Sequence, residues 1–461
     1  MRSSWTDYRR GSPCWTTDDG AAMDLHPRRE PVARRWGEVP TDGLPIRPVQ
    51  PVQPVQPVQP VQPVQPVRLD KRHPGRGHTH ALYLKHKSCR WRRPAGRLRS
   101  SDPMTFDPHA VTFGLDTFGD VTVDLEGSAV PPAQVIRDVI AQGELADRVG
   151  IDHFSIGEHH RPDFAVSAPD TVLAGLATLT NQITLGTAVI VLSSDDPIRV
   201  IERFSTLDAL SNGRAELTVG RGSFTESFPL FGFAMQDYET LFEEKLDLLS
   251  EALRQEPITW SGSIRPPLTQ QSVHPRMERA LPTWVAVGGS PNSVVRAARH
   301  RLPLMLAIIG GPAHRFAPYV NLFHEATEKL GNDRLPVGVH SPGHIAADDR
   351  TARDQLAPHW IHNRNQIGRE RGWGPSGIAE FESETQHGAL YAGGVETVAT
   401  KIADTIRTLG VDRFDLKYSN GPMPHEQLME SIELYGTKVI PRVRELLAEA
   451  PVPQSSVFDE A

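Results

Sequence analysis

Two adjacent histidines follow a short apolar segment at residues 153–157, within the run Glu-His-His-Arg at 158–161. A neutral imidazole can give or take a proton near neutral pH, so these histidines are candidate acid–base groups. Consecutive residues leaving a strand point to opposite sides, so we expect at most one of His159 and His160 to face a pocket. Glu158 can orient a histidine or pair with an arginine, and the arginine pairing is the favoured prediction.

A phosphate site is predicted by two glycine-containing segments. Arg221 lies between two glycines after an apolar segment, and a guanidinium offers a fork of donors that suits phosphate. Gly288, Gly289 and Ser290 come directly before Pro291, a favourable first helical residue. Free N–H groups at a helix N-terminus attract anions. A surface ion pair and an ordinary helix cap are the alternatives for the two segments taken separately.

Small and β-branched residues make up most of segment 183–192. A flat ring can lie against such a strand at Ala188 and Val189, although a buried core strand has the same composition. Asp116 ends the first apolar segment of this part of the chain. It is expected either to face the pocket or to form an ion pair in the core.

Eight apolar segments, separated by helical patterns, must position these residues. The segments cover residues 113–117, 153–157, 183–192, 214–219, 283–287, 304–309, 337–345 and 413–417. Strands alternating with helices over this length predict a (β/α)8 TIM barrel, whose active site lies at the carboxyl ends of the strands. An open, doubly wound sheet is the alternative, but the first strand–helix turn lacks the G-x-G-x-x-G pattern of a dinucleotide-binding fold.

The charge and cysteine content exclude several classes of function. Residues 1–103 hold 19 Lys+Arg and 9 Asp+Glu, so the whole-chain totals of 49 and 56 leave 30 and 47 beyond residue 103. That acidic remainder, with a net charge of −17, argues against nucleic acid as a partner. Cys14 and Cys89 are the only cysteines, and the spacing Glu158-His159-His160 does not suit zinc, so no metal site is predicted. Without a long apolar run or a signal-peptide pattern, no membrane span is expected and the cytoplasm is the predicted location.

The first 103 residues differ in character from the rest. Residues 48–65 are six consecutive Pro-Val-Gln triplets, which favour an extended polyproline conformation and cannot build a packed core. We therefore predict that 1–103 is a disordered, basic, Pro-rich extension and that 104–461 is the barrel domain. Met104 is an alternative start site.

Several fragments, in this order, resemble the luciferase-like, flavin-dependent monooxygenase family. The resemblance covers residue 104 to about residue 447 and none of the extension. Its carriers are Glu-His-His at 158–160, Gly-Thr-Ala-Val-Ile-Val-Leu at 186–192, Pro-Ile-Arg at 197–199, Ser-Asn-Gly-Arg at 211–214, Gly-Arg-Gly at 220–222, Phe-Gly at 231–232, Leu-Pro-Leu-Met at 302–305 and Ser-Ile-Glu-Leu-Tyr-Gly at 431–436.

The resemblance implies a TIM barrel of the bacterial luciferase type that binds FMN, usually as a homodimer. Reduced FMN would come from a separate flavin reductase, react with O2 to a flavin hydroperoxide and oxidise a small organic substrate. His159 matches the family's catalytic histidine, and Arg221 matches a phosphate-binding arginine. The phosphate loop corresponds to Gly289 and Ser290. The strand beneath the isoalloxazine corresponds to Ala188 and Val189, where the family often has a non-proline cis peptide.

One position departs from the family pattern. Gly220 stands where bacterial luciferase has a reactive cysteine, so light emission and a long-chain aldehyde substrate are not expected. Residues 256–281 take the place of the family's mobile loop and are predicted to cover the site. A deazaflavin-dependent dehydrogenase on the same barrel and a non-catalytic flavin-binding barrel are the alternative functions.

Overall fold

The computed structural model describes residues 110–449, so the predicted extension at 1–103 lies outside the described residues. Its strands are β1 Thr112–Thr117, β2 His153–Ile156, β3 Thr184–Thr187, β4 Ile190–Val191, β5 Leu217–Gly220, β6 Ile258–Trp260, β7 Leu268–Gln271, β8 Thr283–Val287, β9 Leu304–Ala307, β10 Val337–Ile345, β11 Tyr391–Gly393 and β12 Arg413–Lys417. Its helices are α1 Pro132–Arg148, α2 Pro169–Leu179, α3 Pro197–Leu210, α4 Ser227–Leu230, α5 Tyr238–Ala252, α6 Pro291–Arg299, α7 Ala317–Lys329, α8 Asp349–Arg371, α9 Ile378–Gln386, α10 Val395–Leu409, α11 His425–Leu434 and α12 Ile440–Ala448. Short 3-10 turns at Met235–Asp237 and Ala313–Phe316 and a π-helical turn at Tyr435–Val439 complete them.

The parallel strands form a barrel. Their order is β3-β2-β1-β12-β10-β9-β8-β5-β4, with β11 paired to the outer part of β10. β3 and β4 are two halves of the predicted strand 183–192, one paired with β2 and the other with β5. A parallel bridge from Leu185 to Ala215 joins the two edges. The predicted TIM barrel is therefore confirmed, and each of its eight predicted strands is present.

The helices begin and end at the residues that the sequence marks for them. α3 begins at Pro197, and the Asp196 carboxylate accepts a hydrogen bond of 2.9 Å from the backbone N–H of Ile198. After α3, Asn212 and Gly213 turn the chain with positive φ angles of 55° and 83°. Caps of this kind satisfy backbone groups that have no partner within the helix. The helices thereby return the chain to the next strand at a fixed place.

A charged network fills the barrel interior below the strand ends. Arg413 is 1% exposed, and its Nε donates a 2.7 Å hydrogen bond to Asp415. The same guanidinium also pairs with Glu216, which accepts a 3.0 Å hydrogen bond from the Trp284 indole. His153 on β2 lies 3.7 Å from Glu216. The pairing of Arg413 with Glu216 joins β12 to the segment before β5 and thereby helps to fix the strands that carry the site.

Residues 256–281 do not cover the site, so the lid prediction is wrong. They contain the β6–β7 hairpin and pack against the outer helices. The Trp260 indole donates to Asp247 on α5 at 2.9 Å, and Arg279 donates to Asp208 on α3 at 3.2 Å. None of these residues lines the cavity described below. The Arg279–Asp208 pair spans 71 positions of the chain, and the sequence could not specify it.

Candidate active site

A cavity of about 490 Å³ opens at the carboxyl ends of the barrel strands. Five of the predicted site residues line it, namely His159, Ala188, Val189, Arg221 and Gly288. The structure therefore brings four separated strand ends into one cavity. Gly289 and Ser290, also predicted site residues, follow Gly288 at the beginning of α6 but are not part of the cavity wall.

The His159 side chain lies among aromatic rings. Its centroid is 4.6 Å from the Phe118 ring, 4.4 Å from the Phe164 ring and 5.2 Å from the Phe224 ring. Burial lowers the pKa of His159 to about 3, and the nearby positive charges, Lys417 first among them, act in the same direction. His159 is therefore neutral near pH 7. A neutral imidazole can donate one hydrogen bond and accept another, but it carries no positive charge.

His160 also lines the cavity, which corrects the prediction that only one of the two histidines would do so. Its Nε2 lies 2.9 Å from Glu158 Oε1, and the second oxygen of Glu158 accepts a hydrogen bond from the Val191 backbone N–H at 2.9 Å. Glu158 thus orients a histidine, and the favoured arginine pairing is wrong. The carboxylate holds the segment after β2 against β4 and thereby fixes the direction of the His160 imidazole.

One wall of the cavity is formed by small residues at the junction of β3 and β4. The peptide bond between Ala188 and Val189 is cis, as the family resemblance implied. The backbone N–H of Ala188 donates to Ile156, and the backbone oxygen of Val189 accepts from Glu158. Gly220 lies next to the Val189 side chain and also lines the cavity. Because these residues are small, few side-chain atoms project from this wall of the cavity, and such a surface suits a flat ring.

Arg221 lies in one corner of the cavity and is linked to α6 through Glu239 on α5. The Arg221 guanidinium pairs with Glu239 on α5, and the other oxygen of Glu239 accepts a 3.3 Å hydrogen bond from Arg296 on α6. Glu239 is therefore an anion held between two guanidinium groups. Within residues 110–449, the backbone N–H groups of Gly289 and Ser290 have no hydrogen-bond acceptor. This corner offers cationic and N–H donors to an anion.

The roof of the cavity comes from the segment after β5 and from the end of α8. Phe224 lies between two guanidinium groups, with Arg161 at 4.5 Å and Arg371 at 5.0 Å from its ring centre. Arg161 pairs with Glu226 in the segment after β5, and with Glu370 on α8 at 2.7 Å. These pairs tie three separate segments together above His159. These contacts cover the cavity beside His159, which is the role that the sequence analysis predicted for residues 256–281.

Comparison with known proteins decides the family. The family model described as luciferase-like monooxygenase matches residues 112–413, which is more than half of the chain. The chain belongs to the luciferase-like monooxygenase family. The predicted family is therefore confirmed, and membership identifies the chain as an oxidoreductase.

One relative and two solved structures illustrate the similarity. The 4-hydroxyprotoasukamycin monooxygenase of Streptomyces nodosus subsp. asukaensis is 25% identical, and the match covers 68% of this chain and 88% of the relative. The oxygenating constituent of 3,6-diketocamphane monooxygenase from Pseudomonas putida, in complex with FMN, has a TM-score of 0.59 at 17% identity, covering 72% of this chain and 99% of that one. The coenzyme F420-dependent tetrahydromethanopterin reductase of Methanopyrus kandleri has a TM-score of 0.54 at 18% identity, with the same coverage of 72% and 99%. At these identities the two structures show the fold alone.

His340 and Lys417 are two of the ionisable residues of this luciferase-like barrel that line the cavity and were missed in the sequence. His340 on β10 approaches Asp116 on β1, with 2.7 Å between Nδ1 and Oδ2. Lys417 ends β12, pairs with Asp120 at 3.1 Å and lies 4.5 Å from the centre of the Phe118 ring. The position of Lys417 at the carboxyl end of an apolar strand is a signal that could have found it.

Neither metal ligation nor a membrane helix is found in the described part of the chain. Residues 110–449 contain no group of three or more His, Cys, Asp or Glu side chains arranged to hold a metal ion. Over the same residues, no helix combines the length and the apolar character needed to cross a membrane.

Proposed function

We propose that the chain is an FMN-dependent monooxygenase that uses reduced flavin and O2 to oxidise a small organic substrate. The observation that carries the proposal is the single cavity lined by His159, Ala188, Val189, Arg221 and Gly288. The family, and a relative named as a monooxygenase over 88% of its length, support an oxygenating reaction. The cavity of about 490 Å³ lies in the range of small-molecule and cofactor pockets.

The donor groups in the cavity fit FMN. Arg221, which lines the cavity, and the free N–H groups of Gly289 and Ser290, which directly follow the lining residue Gly288, would hold the phosphate, because a guanidinium and the N–H groups at a helix N-terminus both bind phosphate. The wall at Ala188 and Val189 would lie against the flat ring system. The deazaflavin coenzyme of the alternative shares a flat ring and a phosphate, so these residues support a flavin-type cofactor and the experiment must identify which one.

The chain's own residues would bind, orient and shield the reactants. When bound, reduced FMN supplies the electrons for the activation of O2. His159 would offer a neutral hydrogen-bonding group at the edge of the cavity, because its surroundings disfavour a positive charge. The aromatic and guanidinium roof around Phe224 would keep bulk water from the reactants.

We also propose that the reduced flavin comes from a separate reductase and that the enzyme is a cytoplasmic homodimer. The support is the family relationship, and both cysteines of the sequence lie outside the barrel domain. Sedimentation of the full chain would report the oligomeric state. Addition of a flavin reductase with NADH should then sustain oxygen consumption.

The deciding experiment follows cofactor binding and isotope incorporation together. Full-length protein is titrated with FMN and with a deazaflavin, and the preferred cofactor in its reduced form is mixed with 18O2 and a panel of ketones, aldehydes and phenols. We expect FMN to bind and one class of substrate to gain a single 18O atom, read by mass spectrometry. Binding of the deazaflavin alone, with hydride transfer and no 18O in the product, would favour the dehydrogenase instead.

A further inference from the structure

A third imidazole, that of His340, faces the cavity with a buried carboxylate behind it. Asp116 is fully buried, and its Oδ2 lies 2.7 Å from Nδ1 of His340. An ionised carboxylate can only accept hydrogen bonds, so Nδ1 of His340 carries the proton that is donated to Asp116. In the neutral ring, Nε2 then bears the free lone pair. Within residues 110–449 this nitrogen has no hydrogen-bond partner, and His340 lines the cavity.

Two of the three imidazoles that line the cavity, those of His159 and His340, have opposite surroundings. Phe118 separates them, with His159 at 4.6 Å and His340 at 6.1 Å from its ring centre. Cationic side chains surround His159, whereas a carboxylate touches His340. When two ionisable groups in one site have opposed environments, they commonly take different proton-transfer roles. Of these two rings, only that of His340 has a carboxylate partner placed to stabilise it after it takes up a proton.

The other charged groups near His340 are already engaged. Asp415, beside it on β12, accepts from Arg413 at 2.7 Å, and Lys417 on the same strand pairs with Asp120 at 3.1 Å. His159, in the segment after β2, contacts Phe118, which lies between it and His340. His340 is therefore the group on this wall with an uncommitted lone pair.

We propose that His340 is the base that deprotonates an ionisable hydroxyl group of the substrate, and that Asp116 is its positioning residue. The substrate O–H proton passes to Nε2, the O–H electron pair stays on the substrate oxygen, and the imidazolium remains paired with the Asp116 carboxylate. The ring of Phe118 is nearly parallel to His340, at 13°, and apolar residues such as Met305 and Trp360 line the same cavity. The substrate class is thus a flat, largely apolar phenol or enol, since an imidazole cannot deprotonate an unconjugated alcohol to any useful extent.

This inference rests on the proposed function and is tested with a probe rather than with turnover. Full-length protein loaded with FMN is titrated with 2-fluoro-4-nitrophenol, and 19F NMR reports whether the bound phenol is ionised. The wild-type protein should hold a larger ionised fraction than the free probe at the same pH. His340→Gln and Asp116→Asn should each lower the ratio of ionised to neutral bound probe about tenfold, which corresponds to roughly one pH unit.

Two controls make the result specific. The methyl ether of the probe has nearly the same shape but no acidic proton, so it should bind wild-type and His340→Gln protein equally. His344→Gln changes another buried histidine of the same strand, which contacts Gln355 and does not line the cavity, and it should leave probe ionisation unchanged. FMN affinity, measured in the same samples, shows that each variant is folded.

Two kinds of failure are distinguishable. If FMN does not bind the wild-type protein, the proposed function fails. If FMN binds wild-type and His340→Gln protein equally, but the phenol does not bind or is ionised to the same extent in both, the assignment of His340 is overturned while the flavin site stands.

Discussion

A β-carbon placed on Gly220 would lie 2.9 Å from Cγ2 of Val189, across the pair formed by β4 and β5. That separation is shorter than real side-chain contacts allow, so Val189 must move if Gly220 carries a side chain. Because Val189 forms the proposed flavin wall, Gly220→Ala should both destabilise the barrel and weaken FMN binding. Overpacking of this kind typically costs about 1–3 kcal/mol of unfolding free energy. Urea denaturation and FMN titration would measure the two effects.

Gly288→Ala is the matched control for this change. Gly288 also ends a strand and lines the cavity, but its added β-carbon would meet no atom within 4 Å. Its unfolding free energy should stay within roughly 0.5 kcal/mol of the wild-type value. Equal destabilisation by the two substitutions would show that the contact with Val189 is not the cause.

Arg221→Ala should weaken FMN binding because it removes a guanidinium from the proposed phosphate corner. Hydrogen bonds to charged groups contribute about 1.5–3 kcal/mol, so the Kd should rise roughly 10- to 150-fold. Riboflavin lacks the phosphate, and its affinity should not change. Arg254→Ala removes an exposed arginine that follows α5 and pairs with Glu251 in its last turn, and it serves as the control. An unchanged FMN affinity in Arg221→Ala would remove the phosphate role from this residue.

Glu239→Gln should have the opposite effect. Its carboxylate pairs with both Arg221 and Arg296 and therefore competes with a phosphate for the same donors. The amide should tighten FMN binding by a few fold, and the gain should shrink as salt screens this exposed position. Isothermal titration at low and high ionic strength would test it, and weaker binding at both salt concentrations would mean that Glu239 helps to build the site.

The strands and most of the candidate site could be predicted because the functional residues of a barrel lie directly after the carboxyl ends of its strands. Each apolar segment of the sequence became a strand, so the residues directly after them, such as His159 and Arg221, came to one cavity. His340 was missed for a physical reason. All nine residues of β10 are buried, so the strand shows no alternation that would mark the inward-facing side.

The roof could not be predicted because it depends on contacts between distant segments. Arg161 and Glu370 are 209 positions apart in the chain, and no local sequence pattern predicts that they pair. Glu158 was likewise assigned to an arginine, although its partners are His160 and the Val191 backbone. When several charged residues are available as partners, tertiary packing determines which of them form a pair.

His159→Ala should abolish incorporation of 18O into the substrate while leaving FMN affinity nearly intact. A positioned acid–base or hydrogen-bonding group typically contributes about 10²- to 10⁴-fold in rate. Because the pKa of His159 is lowered to about 3, this residue stays neutral between pH 5 and 8 and should add no ionisation to the rate profile there. His159→Gln should therefore lower the rate without moving the limbs of the pH profile. Normal 18O incorporation by His159→Ala would refute the assigned role.

Protein stability should decline as the pH falls below about 6.5, the ordinary pKa of histidine in an unfolded chain. Burial, together with the charge of Arg413, lowers the pKa of His153 to about 4, and burial likewise lowers the pKa of His300 to about 4. Between these values the unfolded state binds more protons than the folded state, so the unfolding free energy decreases with decreasing pH. Each such histidine can contribute a slope of up to about 1.4 kcal/mol per pH unit.

His153→Gln should reduce that slope, because glutamine takes up no proton in either state. Urea denaturation between pH 5 and 7 measures the slope of the unfolding free energy against pH. Most carboxylates titrate below this range and therefore contribute little to that slope. The exposed His314 provides the control, since His314→Gln should leave the slope unchanged. Equal slopes for wild-type and His153→Gln protein would mean that His153 accepts a proton in the folded barrel, with Glu216 as its counter-charge.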